Sequence, residues 1–176
     1  MENKKNRCII AGVDVSTLPF GCNEDSRECQ LLKLALLNKI KELLDQGVDE
    51  FYTDCSFGFP LWGGEIVAGL MFYNEIHLYA VHPHENQTYK YAIEWLDRWY
   101  TLHEKSTEVI TVYEEYDVDD NRILLGDEVD MDEYNRRAAN FMLGDCGKLL
   151  FCGDGDGVYI YDAAKRLGLE IITISI

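Results

Sequence analysis

The chain has 176 residues and a formal charge of −16, from 16 Lys plus Arg against 32 Asp plus Glu. Hydrophobic residues make up 47% and charged residues 27%, too apolar for disorder, and the chain is long enough to bury a core without metal or disulfide staples. The acidic balance argues against a nucleic-acid binder and against docking on an anionic membrane, since both need clustered Lys and Arg.

Residues 1–7 are polar, and the apolar run after them is too short for a signal-peptide core. No apolar stretch reaches the roughly 18–20 residues of a spanning helix, so the expected location is cytoplasmic. Arg7–Val13 reads as a short buried strand. A loop with Pro19 and Gly21 leads to a helix with Asp25 as N-cap and Glu28 three residues later, a capping box. Its apolar face is Leu31, Leu32, Ala35, Leu36, Ile40, Leu43 and Leu44, and Gly47 ends it. Glu50–Cys55 is a second strand, and Pro60 opens a helix running to about Asn74. Ile76–Val81 is a third strand, and Gln87–Lys105 a long amphipathic helix carrying Tyr91, Trp95 and Trp99. Glu108–Val112, Lys148–Cys152 and Glu170–Ile176 complete the strands, with helices at Val129–Leu143 and Val158–Leu167.

Alternating strands and helices with continuous apolar strands predict an α/β fold: a Rossmann-like, doubly wound, mostly parallel sheet with helices on both faces. One domain over residues 1–176 is expected, with an acidic insertion at 114–133. That insertion holds ten acidic residues and one basic residue, Arg122. It reads as a solvated loop or small hairpin. Asp117, Asp119 and Asp120 suggest the start of a Ca²⁺ loop, but Arg122 stands where such a loop needs Gly.

The six cysteines form no C-x-x-C pair and no zinc-site spacing, so they read as reduced thiols. Cys8, Cys55 and Cys152 lie in strand-like runs, where Cys acts as a small buried hydrophobe. Cys22 and Cys29 flank a helix start, where a thiol pKa can fall.

Ligands of doubly wound sheets bind beyond the carboxyl ends of the strands, so the post-strand loops hold the candidate site. These loops supply Gly12 and Asp14, then Asp54, Ser56 and Gly58, then Pro83, then Gly153, Gly155 and Gly157. Gly-rich turns at helix starts can cradle a phosphate, though they also occur for steric reasons alone. Asp154 and Asp156 would repel one. Glu65 near the second loop is either a ligand contact or an acid favoured by the helix dipole.

Gly58-Phe59-Pro60-Leu61-Trp62-Gly63-Gly64-Glu65 and the order of elements resemble the YpsA/YoqJ-like family of the SLOG (DprA/Smf–LOG) superfamily. The family's first strand ends in Thr-Gly, where Ala11-Gly12 stand here. Its second strand leads to Gly-Phe-Asp-Leu-Trp-Ala-Ala-Glu, matched at Gly58, Phe59, Leu61, Trp62 and Glu65. Pro83 matches the Pro after its third strand, and Gly155 and Gly157 its last Gly-rich turn. The resemblance implies a Rossmann-like fold, a pocket for nucleotides or nucleotide-derived ligands, and self-association into a homo-oligomer. Here Asp14 lies where the family has a basic residue, Asp54 replaces a Gly and Pro60 an Asp. An Arg-Asn pair of the family falls on Ala138-Ala139, with Arg136 and Arg137 nearby as substitutes. Val158 and Tyr161 replace the Thr and Glu of the LOG phosphoribohydrolase motif, so that activity is not expected.

Three functions are therefore weighed. One is a non-catalytic module sensing a nucleotide-derived or other small ligand, with Arg136 or Arg137 for charge and Trp62 or Phe57 to stack on a base. Another is a hydrolase or transferase on such a ligand, with Glu65, Asp54 or Asp162 as base and Ser56 or a metal-bound water as nucleophile. The third is a protein-interaction scaffold using the acidic surface. No cofactor is expected, with Mg²⁺ or Ca²⁺ as the alternative if a phosphate meets these carboxylates.

Overall fold

The computed structural model describes residues 4–84, 87–88, 91–112 and 131–176. The acidic segment, its hairpin and its calcium-loop likeness lie outside the described residues, apart from Met131–Glu133. The strands are β1 (Arg7–Gly12), β2 (Glu50–Thr53), β3 (His77–His82), β4 (Glu108–Thr111), β5 (Lys148–Cys152) and β6 (Glu170–Ile174). They form one six-stranded sheet in the order β4-β3-β2-β1-β5-β6, parallel throughout.

The helices are α1 (Arg27–Asp45), α2 (Phe59–Leu70), α3 (Ile93–Lys105), α4 (Met131–Asp145) and α5 (Tyr159–Leu167). Side-chain alternation along each strand divides the core in two. Cys8 and Ile10 of β1, Leu78 and Ala80 of β3, and Leu150 and Cys152 of β5 pack with α1, α2 and α3. Ile9, Ala11, Tyr52, Val81, Leu149 and Phe151 pack with α4 and α5 on the other face. This is a doubly wound Rossmann-like α/β arrangement.

Several boundaries depart from the sequence reading. Ser26, not Asp25, caps α1: its hydroxyl accepts from the Cys29 N–H at 3.1 Å. α2 stops at Leu70, where the Asn74 side chain reaches back to the Leu70 carbonyl at 2.9 Å. α3 begins at Ile93 rather than Gln87, because Ala92 is extended and Gln87 and Tyr91 bond elsewhere. Gly63 brings α2 onto the sheet: a Cβ there would lie 2.5 Å from Ile10 Cγ2. Among the described residues, no helix is long and apolar enough to cross a membrane.

Candidate site at the carboxyl ends of β1 and β2

β1 lies between β2 and β5, and the chain winds outward from it in both directions. Strand order therefore reverses beside β1, the place where open α/β sheets leave a crevice. A cavity of about 300 Å³ opens there. Ile10–Gly12 of β1, Asp54 and Ser56 after β2, and Pro60 of α2 form one side of it. Asp132, Asn135, Arg136, Ala139 and Met142 of α4 and Val158–Ile160 at the start of α5 form the other.

The turn after β2 is tightly determined. Cys55 has φ 56°, a left-handed conformation uncommon for a residue with a side chain. Its N–H donates to Thr53 Oγ1 at 3.1 Å, and that hydroxyl donates to the Pro60 carbonyl at 3.1 Å. Asp54 Oδ1 accepts from both the backbone N–H and the hydroxyl of Ser56, at 2.9 and 2.7 Å. Gln87 Nε2 donates to the Asp54 carbonyl at 2.7 Å, and the Phe57 N–H donates to the Tyr91 hydroxyl at 3.1 Å. The segment after β3 thus braces the turn from outside. Gly58, at φ 101°, lets the chain swing into α2, where a Cβ would sit 3.3 Å from Val15 Cβ.

This helix start is already occupied. Pro60 has no N–H, and the Leu61 N–H donates to the Ser56 carbonyl at 3.1 Å. α5 is different: among the described residues no side chain caps it at Val158, and its first residues line the cavity. The N-terminus of a helix carries partial positive charge, which favours an anion. Arg136 adds a full charge, its guanidinium 5.5 Å from the Tyr159 ring centre. Burial pushes the Asp54 carboxyl above its ordinary range, and the Ser56 hydrogen bonds only partly offset this. Asp14 behaves oppositely, held below the usual range by Ser16, which donates to its carboxylate at 2.7 Å.

Of the residues singled out in the sequence, Gly12, Asp54, Ser56 and Arg136 meet in this cavity. Gly12 also borders a broader basin of about 930 Å³ that takes in Asp14 and Gly153. Gly58, Trp62, Glu65, Pro83, Arg137, Gly155 and Gly157 lie outside both linings. Trp62 is 1% exposed beneath Lys33, whose Nζ lies 5.0 Å from the ring centre, so it has no face left for a base. Phe57 is stacked on Trp95, with ring centres 3.6 Å apart. Glu65 is held by Arg98 through two 2.7 Å hydrogen bonds. Pro83 is buried beside His84. Arg137 pairs with Glu133 at 2.8 Å on the outer surface of α4. Gly155 sits under the Tyr161 ring, which a Cβ would strike at 2.2 Å, and Gly157 meets open space. Asp162 lies in the first turn of α5. Cys29 is buried and its thiol is pushed up by burial, contrary to a reactive low-pKa reading, while Cys22 alone of the six cysteines is exposed. Among the described residues, no group of three or more His, Cys, Asp and Glu is placed to hold a metal ion.

Sequence reasoning missed Asp132, Asn135, Tyr159 and Ile160. The 132-135/136-139-142 spacing on α4 was a readable helix face. Its partner surface was not readable, because it depends on α4 crossing from β4 over to β5.

Fold and site together define a SLOG-type Rossmann-like domain with a crevice at its switch point. The chain matches the YspA SLOG family (YpsA) over residues 9–121, and it belongs to that family. The match takes in most of β1, β2–β4 and α1–α3, whereas α4 and α5, which wall the far side of the cavity, lie beyond it. No curated protein matches the chain.

Proposed function

We propose that this domain binds a small, anionic, nucleotide-derived ligand in the cavity beyond β1 and β2. The observation that carries the reading is the convergence of Gly12, Asp54, Ser56 and Arg136 on one crevice against the uncapped start of α5. At about 300 Å³ the cavity is at the small end of ligand pockets. It suits a phosphate-bearing group with part of its attached sugar or base, with the remainder extending into the neighbouring basin. The Asp54 carboxyl, neutral over a wider pH range than an exposed one, lowers the repulsion that ionised carboxylates would impose.

The test is a thermal-shift panel of mononucleotides, NAD and ADP-ribose, with and without Mg²⁺. A ligand at 100 times its Kd adds about 2.7 kcal/mol. For this chain length that is a rise of roughly 5–11 °C. Arg136→Ala should weaken a hit at least tenfold, while Arg137→Ala, paired to Glu133, should not. A silent panel would overturn the reading and favour a protein partner on the acidic surface.

A hydrolase or transferase is the second reading. What favours it is a carboxyl of raised pKa in the cavity with a serine hydroxyl 2.7 Å away. It requires turnover of a bound ligand that Asp54→Asn abolishes without abolishing binding. Self-association is measured on the same preparation by light scattering.

A further inference from the structure

We propose that anion binding in this cavity is coupled to uptake of one proton by Asp54, so that the acid form of Asp54 and the guanidinium of Arg136 together recognise the ligand. The proposal rests on the cavity reading above and concerns how that site is regulated.

Among the described residues, Arg136 is the one cation in the lining, against two carboxyls, Asp54 and Asp132. With both ionised, the lining carries net negative charge and opposes an anion. The two carboxyls are not equivalent. Asp132 is exposed on the first turn of α4. Asp54 is set into the turn at the end of β2. Both Ser56 hydrogen bonds fall on Oδ1, and no Lys or Arg among the described residues pairs with it. Oδ2 is thus the oxygen left to carry a proton and donate it to a ligand oxygen.

The groups around Asp54 point the same way. Across the cavity, α4 contributes Asp132 and Arg136, and α5 contributes Tyr159. From the segment after β3 comes the Tyr91 phenol, and next along the chain the Cys55 thiol. Tyr91 and Cys55 are both held neutral, with pKa values pushed up by burial. The Ser56 hydrogen bonds favour the ionised form and only partly offset burial, and a bound anion beside the carboxyl would further disfavour a second negative charge.

The probe is ADP-ribose, whose pyrophosphate lacks the phosphomonoester proton that titrates near about pH 6. Its Kd is measured across pH 5.5–8.5, with calorimetry in two buffers of different ionisation enthalpy. The expected result is net proton uptake approaching one, and affinity that falls with rising pH toward about tenfold per unit. Asp54→Asn, which stays neutral, should bind with a flat profile and take up no proton. Without ligand, the wild type should lose melting temperature relative to Asp54→Asn as pH rises. A carboxyl raised above its unfolded pKa of 3.8 stabilises the fold below that value, and loses this contribution as pH passes its folded pKa. Binding with no linked proton, binding that needs Mg²⁺ in place of a proton, or the same pH slope in Asp54→Asn would each overturn the proposal and leave the cavity reading standing. If no nucleotide in the panel binds, the cavity reading fails and this proposal with it.

Discussion

Arg98 grips Glu65 across the α2–α3 interface by two parallel hydrogen bonds, Nε to Oε1 and Nη2 to Oε2, each 2.7 Å long. Its third nitrogen, Nη1, reaches Glu24 Oε1 at 2.6 Å, and Glu24 also meets Lys33 of α1. One guanidinium therefore ties three parts of a single face of the sheet together. Such fork geometry suits arginine and not lysine.

Arg98→Ala should destabilise the fold by about 1–2 kcal/mol, because two half-buried carboxylates lose their charged donor. Arg98→Lys should recover less than half of the loss. Ligand affinity should stay within twofold of wild type, since Glu65 and Arg98 are outside the cavity lining. Chemical denaturation and ligand titration on the same variants check both parts.

Two glycines of α2 should respond in opposite directions to the same substitution. Gly63→Ala places a methyl 2.5 Å from Ile10 Cγ2 and should cost about 1–3 kcal/mol by overpacking. A Cβ at Gly69 meets nothing within 4 Å, so Gly69→Ala should stabilise by up to about 1 kcal/mol. Urea midpoints at constant m-value decide it.

Acid should weaken the fold through the histidines at the end of β3. Burial lowers His82 from 6.5 to about 4, helped by His103 and His84, and burial also lowers His84 and His103. The unfolded chain then binds more protons than the folded one between these values, so stability rises with pH there and is lost on acidification from about 6.5 toward 4. The Asp54 contribution has the opposite sign. A melting series from pH 7 to 4.5 should therefore fall less steeply for His82→Asn than for wild type.

Gln87→Ala removes the donor to the Asp54 carbonyl and the acceptor of the Trp99 indole N–H at 3.2 Å. A cost of about 1–3 kcal/mol is expected, from two half-buried polar groups left without partners. The turn also loses its outer brace, so ligand affinity should fall, unlike in Arg98→Ala. Isothermal titration alongside denaturation separates this residue from one that only supports the fold.

Most of the fold was legible because it rests on local patterns. The apolar runs at Cys8–Ala11 and Leu149–Cys152 are buried on both faces and could only be inner strands. Misreadings came where a local pattern served a distant partner. Tyr91, Trp95 and Trp99 recur at helical spacing, yet Tyr91 precedes α3 and bonds to Phe57 across the fold. Trp62 and Glu65 match a family motif next to the site, but their side chains turn toward Lys33 and Arg98. Arg136 and Arg137 were equivalent in sequence, and the pitch of α4 sends only the first into the cavity. Tyr159 was missed because sheet order, which brings the start of α5 beside β1, is a long-range property that no sequence window contains.

The bracing of the Asp54 turn also gives the molecule a built-in optical readout. Of three tryptophans, Trp95 stacks on Phe57 of that turn and Trp99 donates to the same Gln87 that holds Asp54 in place. Trp62 is sealed away under α1. A ligand that shifts the turn changes the surroundings of these indoles, Trp62 included, whose ring meets Phe57 edge-on with centres 6.3 Å apart. Occupancy of the crevice can then be followed by intrinsic emission from the unlabelled protein.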